Sequence, residues 1–182
     1  RPEECLVYSV TILIGGYLSA KIPVVREISM QISKEIPGEK LKVVLVSDIH
    51  LGMMISNGKL DRMVNLINTQ NADLVLMAGD VFDEDLGPVI KKNMGDLLKK
   101  LEARQGVFAI LGNHEFYGNV QVAEKYLRDH KITVLRDSVV TLQNGITIVG
   151  REDITAERMY NKTRKTIDEL LENRDTKKPV IM

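Results

Sequence analysis

Three short apolar runs, Leu41 to Val46, Leu74 to Ala78 and Val107 to Leu111, have the length of buried strands, and between them the apolar positions switch to helical spacing. Leu60, Met63, Val64 and Ile67 share one helical face, as do Ile90, Met94, Leu97, Leu98 and Leu101. The methionines in these stripes read as core filler. The order βαβαβ predicts a mostly parallel sheet with right-handed crossovers. A further helix is expected from Val120 to His130. Beyond it, Val139 to Gln143 and Ile146 to Val149 flank Asn144-Gly145, a strong hairpin turn, and this hairpin opens a second sheet. A helix is expected around Thr163 to Glu172 with its charges on a solvated face. Lys177 to Met182 reads as the start of a buried strand. Upstream, Ile28, Met30 and Ile32 alternate with Ser29, Gln31 and Ser33, which predicts a half-buried antiparallel strand, and Pro37-Gly38 marks a turn after it.

The first 40 residues form a lead-in to a domain spanning residues 41–182. Leu6 to Ala20 is mostly apolar, but a membrane-spanning helix needs about 20 such residues. It is the trailing end of a membrane anchor, an interfacial segment or an ordinary packing helix; no charged n-region with a cleavage site precedes it. Membrane association is expected on the first two readings and a cytoplasmic location otherwise. At 182 residues and 44% apolar content the chain can bury one substantial core. Lys plus Arg and Asp plus Glu are 25 each, so there is no electrostatic footprint for nonspecific nucleic-acid binding, and 4% aromatics leave little for base stacking. Cys5 is the single cysteine, which rules out an intrachain disulfide.

The chemistry lies where strands end. Asp48-Ile49-His50, Gly79-Asp80 with Asp83, and Gly112-Asn113-His114-Glu115 each follow one of the three apolar runs, and the carboxyl edge of an open α/β sheet is where ligands bind. Carboxylates suit hard divalent cations, imidazole suits Zn, Mn and Fe, and a carboxylate has two oxygens with which to bridge two ions. Asp48, His50 and Asp80 suit a first metal, and Asn113 offers an amide oxygen to a second that shares Asp80. Two ions about 3.5–4 Å apart can clamp a phosphate and lower the pKa of a bound water towards ~7, giving a metal-bound hydroxide at neutral pH. His114 is then free to stabilise charge or protonate a leaving oxygen, with Asp83 holding it in orientation. Each motif alone has a plainer explanation: Asp48 as a helix cap, Gly79-Asp80 as a βα turn, Asn113 and His114 as turn residues. Their joint order and placement favour the metal site.

Val-Ser-Asp48-Ile-His50-Leu-Gly, Ala-Gly79-Asp80-Val-Phe-Asp83 and Leu-Gly112-Asn113-His114-Glu115 resemble the first three signatures of the calcineurin-like metallophosphoesterase superfamily. The resemblance implies an αββα sandwich of the metallophosphoesterase type, truncated in its second sheet. It also implies a binuclear centre of Mn, Fe or Zn held by Asp48, His50, Asp80 and Asn113, with His114 and Asp83 as the catalytic dyad. Residues 16–26 look like the lead-in of a bacterial, often membrane-anchored branch similar to YkuE phosphoesterases.

Two departures shape the expectation. Protein phosphatases of the superfamily carry Arg after the second aspartate of the Gly-Asp motif, where this chain has Glu84, so a protein-phosphatase substrate is not expected. The family's later histidine signatures are missing, since the histidines here are His50, His114 and His130, and His130 reads as a helix-end residue opposing the helix dipole. The chain is therefore expected to be a fragment whose next histidine lies beyond Met182, with poor activity of its own and self-association through the unfinished sheet edge. The expected function is metal-dependent hydrolysis of a phosphate ester, on a small molecule or a lipid, monoester or diester. The alternatives are a noncatalytic metal- or phosphate-binding module and a membrane-tethered interaction domain.

Overall fold

The computed structural model describes residues 1–21, 23–34, 40–172 and 175–182, and divides into two compact units, Arg1–Gln31 and Ile32–Met182. The first unit contains helix α1 (Pro2–Lys21), on which Leu6, Ile12 and Leu13 are exposed. No helix among the described residues is long and apolar enough to cross a membrane. The strand expected at residues 28–33 is not there: residues 23–32 have no regular structure, and Ile28, Met30 and Ile32 are exposed. Alternation alone does not make a strand, because each backbone N–H and C=O needs a partner strand, and no pairing to residues 28–33 forms among the described residues. The Pro37-Gly38 turn lies outside the described residues.

In the second unit, β1 (Val43–Val46), β2 (Leu74–Ala78), β3 (Val107–Ile110) and β4 (Thr133–Val134) form a parallel sheet in that order. Each apolar run feeds both faces of the sheet. Val44, Val46, Val75, Met77, Val107 and Ala109 turn towards the helices, and Leu74, Leu76, Phe108 and Ile110 turn towards a second sheet. The helical layer comprises α2 (Asn57–Asn68), α3 (Gly87–Lys91), α4 (Met94–Leu98) and α6 (Val120–Asp129), which bury Leu60, Val64, Ile67, Val89, Met94, Leu98, Ala123 and Leu127. Ser56 caps α2 and Asn119 caps α6, each accepting from a first-turn amide.

The second sheet has the order β5 (Ser138–Thr141), β6 (Thr147–Gly150), β7 (Val180–Ile181), with β5 antiparallel and β7 parallel to β6. The Asn144-Gly145 turn forms as read: Asn144 Oδ1 accepts from Ile146 N, and Gly145 sits at φ 81°. Leu142, Ile146 and Ile148 close over Leu74 and Phe108 to make the core between the sheets. The helix expected at 163–172 is shorter, α8 (Ile167–Leu171), because Thr166 takes its N-cap in a reciprocal capping box with Glu169. Two helices had no periodic signal in the sequence, the five-residue α5 (Asn113–Tyr117) and the six-residue α7 (Thr155–Tyr160).

A chain of ion pairs crosses from α6 to the second sheet. Arg136 Nη1 donates to Glu124 at 2.9 Å and its Nε to the buried Glu152 at 2.8 Å, while Arg128 holds Glu124 from the same helix. Burial pushes the Glu124 carboxyl up, but hydrogen bonds from Arg136 and Arg128 outweigh it and leave its pKa below the ordinary 4.5. Its contribution to stability is therefore present above that ordinary value and lost as pH falls through the lower folded value. We expect Glu124→Gln to cost about 1–3 kcal/mol at neutral pH. Urea unfolding across pH should show the gap to wild type closing in acid, and a gap that persists undiminished would mean that ionisation of Glu124 plays no part.

Candidate metal centre and catalytic dyad

Beyond the strand ends, the loops after β1 and β2 stay in register. Asp48 N donates to Gly79 O, His50 N to Asp80 O at 3.0 Å, Leu51 N to Val81 O at 2.8 Å, and Asp83 N returns to Leu51 O at 2.9 Å. This extended parallel contact delivers Asp48, His50 and Asp80 to one place. All three sit in the left-handed region, at φ 54°, 47° and 50°. Such conformations cost on the order of 1 kcal/mol or more each and persist where surroundings overdetermine them.

The loop after β3 arrives from the other side. Gly112 packs so closely on Asp80 that a Cβ there would collide with Asp80 Oδ1, and Gly79, at φ 89°, would place a Cβ 3.0 Å from the Gly112 backbone. Only glycine fits that approach. Gly112 is also the N-cap residue of α5, and it has no side chain with which to cap. Asp80 Oδ1 takes that role from the neighbouring loop, accepting from His114 N at 3.0 Å.

Glu115 completes the arrangement. It is fully buried, and its carboxylate accepts from Gly112 N at 2.7 Å, Phe82 N at 2.8 Å and Asp80 N at 3.1 Å. Burial raises its pKa above the ordinary 4.5, with Asp80 adding to the rise and the three amide bonds opposing it. Residue type alone assigns Glu115 no role. Its signal was the spacing: a glutamate three residues after an N-cap position folds back on that residue's N–H.

Ligand atoms of Asp48, His50 and Asp80 lie within 4.8 Å of one another, and so do those of His50, Asp83 and His114, with His50 common to both groups. Asn113 is the first residue of α5, beside His114. The two imidazoles meet edge to face at 4.4 Å between ring centroids. His114 Nδ1 is 3.4 Å from Asp83 Oδ1 but not aligned for a hydrogen bond, and is buried with no hydrogen-bond partner among the described residues. Helix α2 is capped by Ser56 and not by Asp48; the helix after Gly79-Asp80 has Leu86 at its N-cap, so the aspartate cap of Asp80 goes to α5 instead. His130 belongs to neither group: its Nδ1 donates to Tyr126 O at 2.7 Å and its ring lies obliquely against that of Tyr126.

Two carboxylates and an imidazole converging at the carboxyl edge of one sheet in a two-sheet sandwich make a donor set fit for a divalent cation. The chain belongs to the calcineurin-like phosphoesterase family, whose model matches residues 41–182. It is 30% identical over 168 residues to an uncharacterized metallophosphoesterase of Helicobacter pylori, covering 92% of this chain and 44% of that protein. A second uncharacterized metallophosphoesterase, from Aquifex aeolicus, is 28% identical over 178 residues, 95% of this chain and 66% of its own length. A Danio rerio protein named transmembrane protein with metallophosphoesterase domain is 26% identical over 192 residues, 97% of this chain and 42% of that protein. The chain thus spans roughly half to two thirds of the length of these relatives.

Removing the Glu115 carboxylate leaves one buried and two partly buried amides without this acceptor, each costing about 1–3 kcal/mol. Glu115→Ala is accordingly expected to destabilise the protein by at least about 3 kcal/mol in urea unfolding and to weaken divalent-cation binding. A loss below about 1 kcal/mol would show that the amides find other acceptors and that Glu115 does not hold the loops.

Proposed function

We propose that the protein hydrolyses phosphate esters with the help of two divalent ions, Mn, Fe or Zn, and that His114 and Asp83 form its proton-handling dyad. The observation that carries this reading is the sharing of His50 between the Asp48–His50–Asp80 group and the His50–Asp83–His114 group, which sets a cation site directly beside a protonatable imidazole. Asp48, His50 and Asp80 would hold one ion, and Asn113 with Asp80 would contribute to a second. When bound, such ions supply Lewis acidity and lower the pKa of a water enough for attack at neutral pH.

The chain's own groups account for the rest. His114 has 29% of its side chain exposed and turns Nδ1 towards Asp83, which leaves Nε2 to face the reacting group. As oxygen attacks phosphorus and the bond to the leaving oxygen breaks, Nε2 gives its proton to that leaving oxygen. Asp83, facing Nδ1 at 3.4 Å, orients the ring. Glu84, where a phosphatase arginine would stand, argues against phosphoprotein substrates.

In the full-length protein, Asp80→Ala is expected to abolish both metal loading and turnover of an aryl phosphate, because it removes a ligand common to both ions. His114→Ala should keep its metals and lose about 10²- to 10⁴-fold in rate. Elemental analysis paired with the assay checks both, and wild-type rates in His114→Ala with metals intact would refute the dyad. Retention of one metal equivalent without turnover by wild type would favour a binding module.

The location proposed is a membrane surface, reached through α1. Its exposed apolar residues need cover, and the name of the Danio rerio relative records a membrane association for that protein. Flotation of the full-length protein with anionic vesicles, lost on deleting residues 1–31, is the expected result.

A further inference from the structure

We infer that the Gly52 to Ile55 loop selects the leaving group of the ester, and that it selects an uncharged, apolar one; this rests on the phosphoesterase reading above and specifies its substrate class. Met53 and Met54 are adjacent and 76% and 91% exposed. Exposed apolar side chains scattered singly need no explanation. Here the loop that presents them is pinned. Lys92 Nζ donates to Gly52 O at 3.2 Å, Met53 O at 2.9 Å and Ile55 O at 3.2 Å, and no carboxylate among the described residues pairs with it. All three ammonium donors are thus spent on holding one loop, with Asn57 Nδ2 fixing the Lys92 carbonyl at 2.8 Å. Ile55, at the loop's far end, packs against the helical core. The methionines are therefore held out in water by a fixed backbone.

The loop borders the dyad. A Cβ at Gly52 would lie 3.0 Å from Asp83 Cβ, and Asp83 is 51% exposed. Tyr117, 52% exposed, packs its ring 5.9 Å from that of His114. On this inference, a group leaving with a proton from His114 departs on the side of the dyad that this loop and Tyr117 border. Their neighbours Asp83, Glu84 and Asp85 are all exposed carboxylates, so a leaving group bearing further negative charge meets repulsion there. Thioethers are soft and adaptable, which suits an alkyl or aryl group of variable shape.

Nonhydrolysable alkylphosphonates separate this inference from catalysis, because calorimetry reads binding without turnover. To the metal-loaded, full-length protein, octylphosphonate below its micellar concentration is expected to bind at least about tenfold tighter than methylphosphonate, given the gain per buried methylene. In Met53→Ser/Met54→Ser that ratio should fall to within about threefold, and Met53→Leu/Met54→Leu should keep it. Both pairs are exposed positions, so folding is not at stake. Absence of a chain-length preference in wild type, including absence of binding, overturns the inference, as does an undiminished ratio in the serine variant. Failure of the phosphoesterase reading would appear separately, as no turnover of an aryl phosphate.

Discussion

A single buried carboxylate organises the site. Glu115 gathers the amides of Asp80, Phe82 and Gly112, which belong to the loops after two different strands. Removing an ion from water costs several kcal/mol, and that cost is met only when its oxygens are fully used. Three amide donors on two oxygens meet that condition, and each bond to a charged acceptor is worth about 1.5–3 kcal/mol. The same bonds fix where Asp80 stands. Asp80, held through its N–H by Glu115, uses one carboxylate oxygen to cap the helix that carries His114. The residues proposed as metal ligand and proton donor are therefore positioned by one hydrogen-bonded unit.

That unit also accounts for the strain around it. Left-handed backbone at Asp48, His50 and Asp80 is tolerated because the loops after β1 and β2 remain hydrogen-bonded to each other past the ends of their strands. Aspartate enters this conformation more readily than most residues, and histidine is also enriched there. A β-branched residue would not. Residue choice at these positions thus answers to backbone geometry as well as to ligand chemistry, and both demands point to the same side chains.

How much of this was legible in the sequence depended on the kind of signal. The strands β2 and β3 were readable because a strand packed on both faces is apolar throughout, and β1 is equally apolar although it lies at the sheet edge with Leu45 exposed; the hairpin was readable because Asn144-Gly145 has few other uses. The alternation at Ile28, Met30 and Ile32 misled, since period-two patterning says which face a strand would show but not whether a partner exists. The short helices α5 and α7 give no periodic signal, and β4, two residues long, gives no strand signal. The polar islands stood out by residue type, whereas Glu115 and Lys92 did not. Glutamate is ordinary in a first helical turn, and Lys92 lies among other lysines at a helix end; only the fold shows that one is buried under three amides and the other caps three carbonyls.

The two sheets meet the site through Phe116, the residue after Glu115. Phe116 is buried, the Arg136 guanidinium lies 5.6 Å from its ring centre, and Tyr160 of α7 donates to its carbonyl at 3.4 Å. Arg136 is in turn fixed by Glu152 at the end of β6, whose N–H donates to the buried Asp137 and whose carboxylate also accepts from Lys162 at 2.7 Å. A buried carboxylate flanked by two cations is stable only while both remain in place, so this network ties the second sheet and α7 to the back of α5. His114 thereby depends on packing in both layers: Glu115 holds its helix from the first sheet, and Phe116, pressed between Arg136 and Tyr160, holds it from the second.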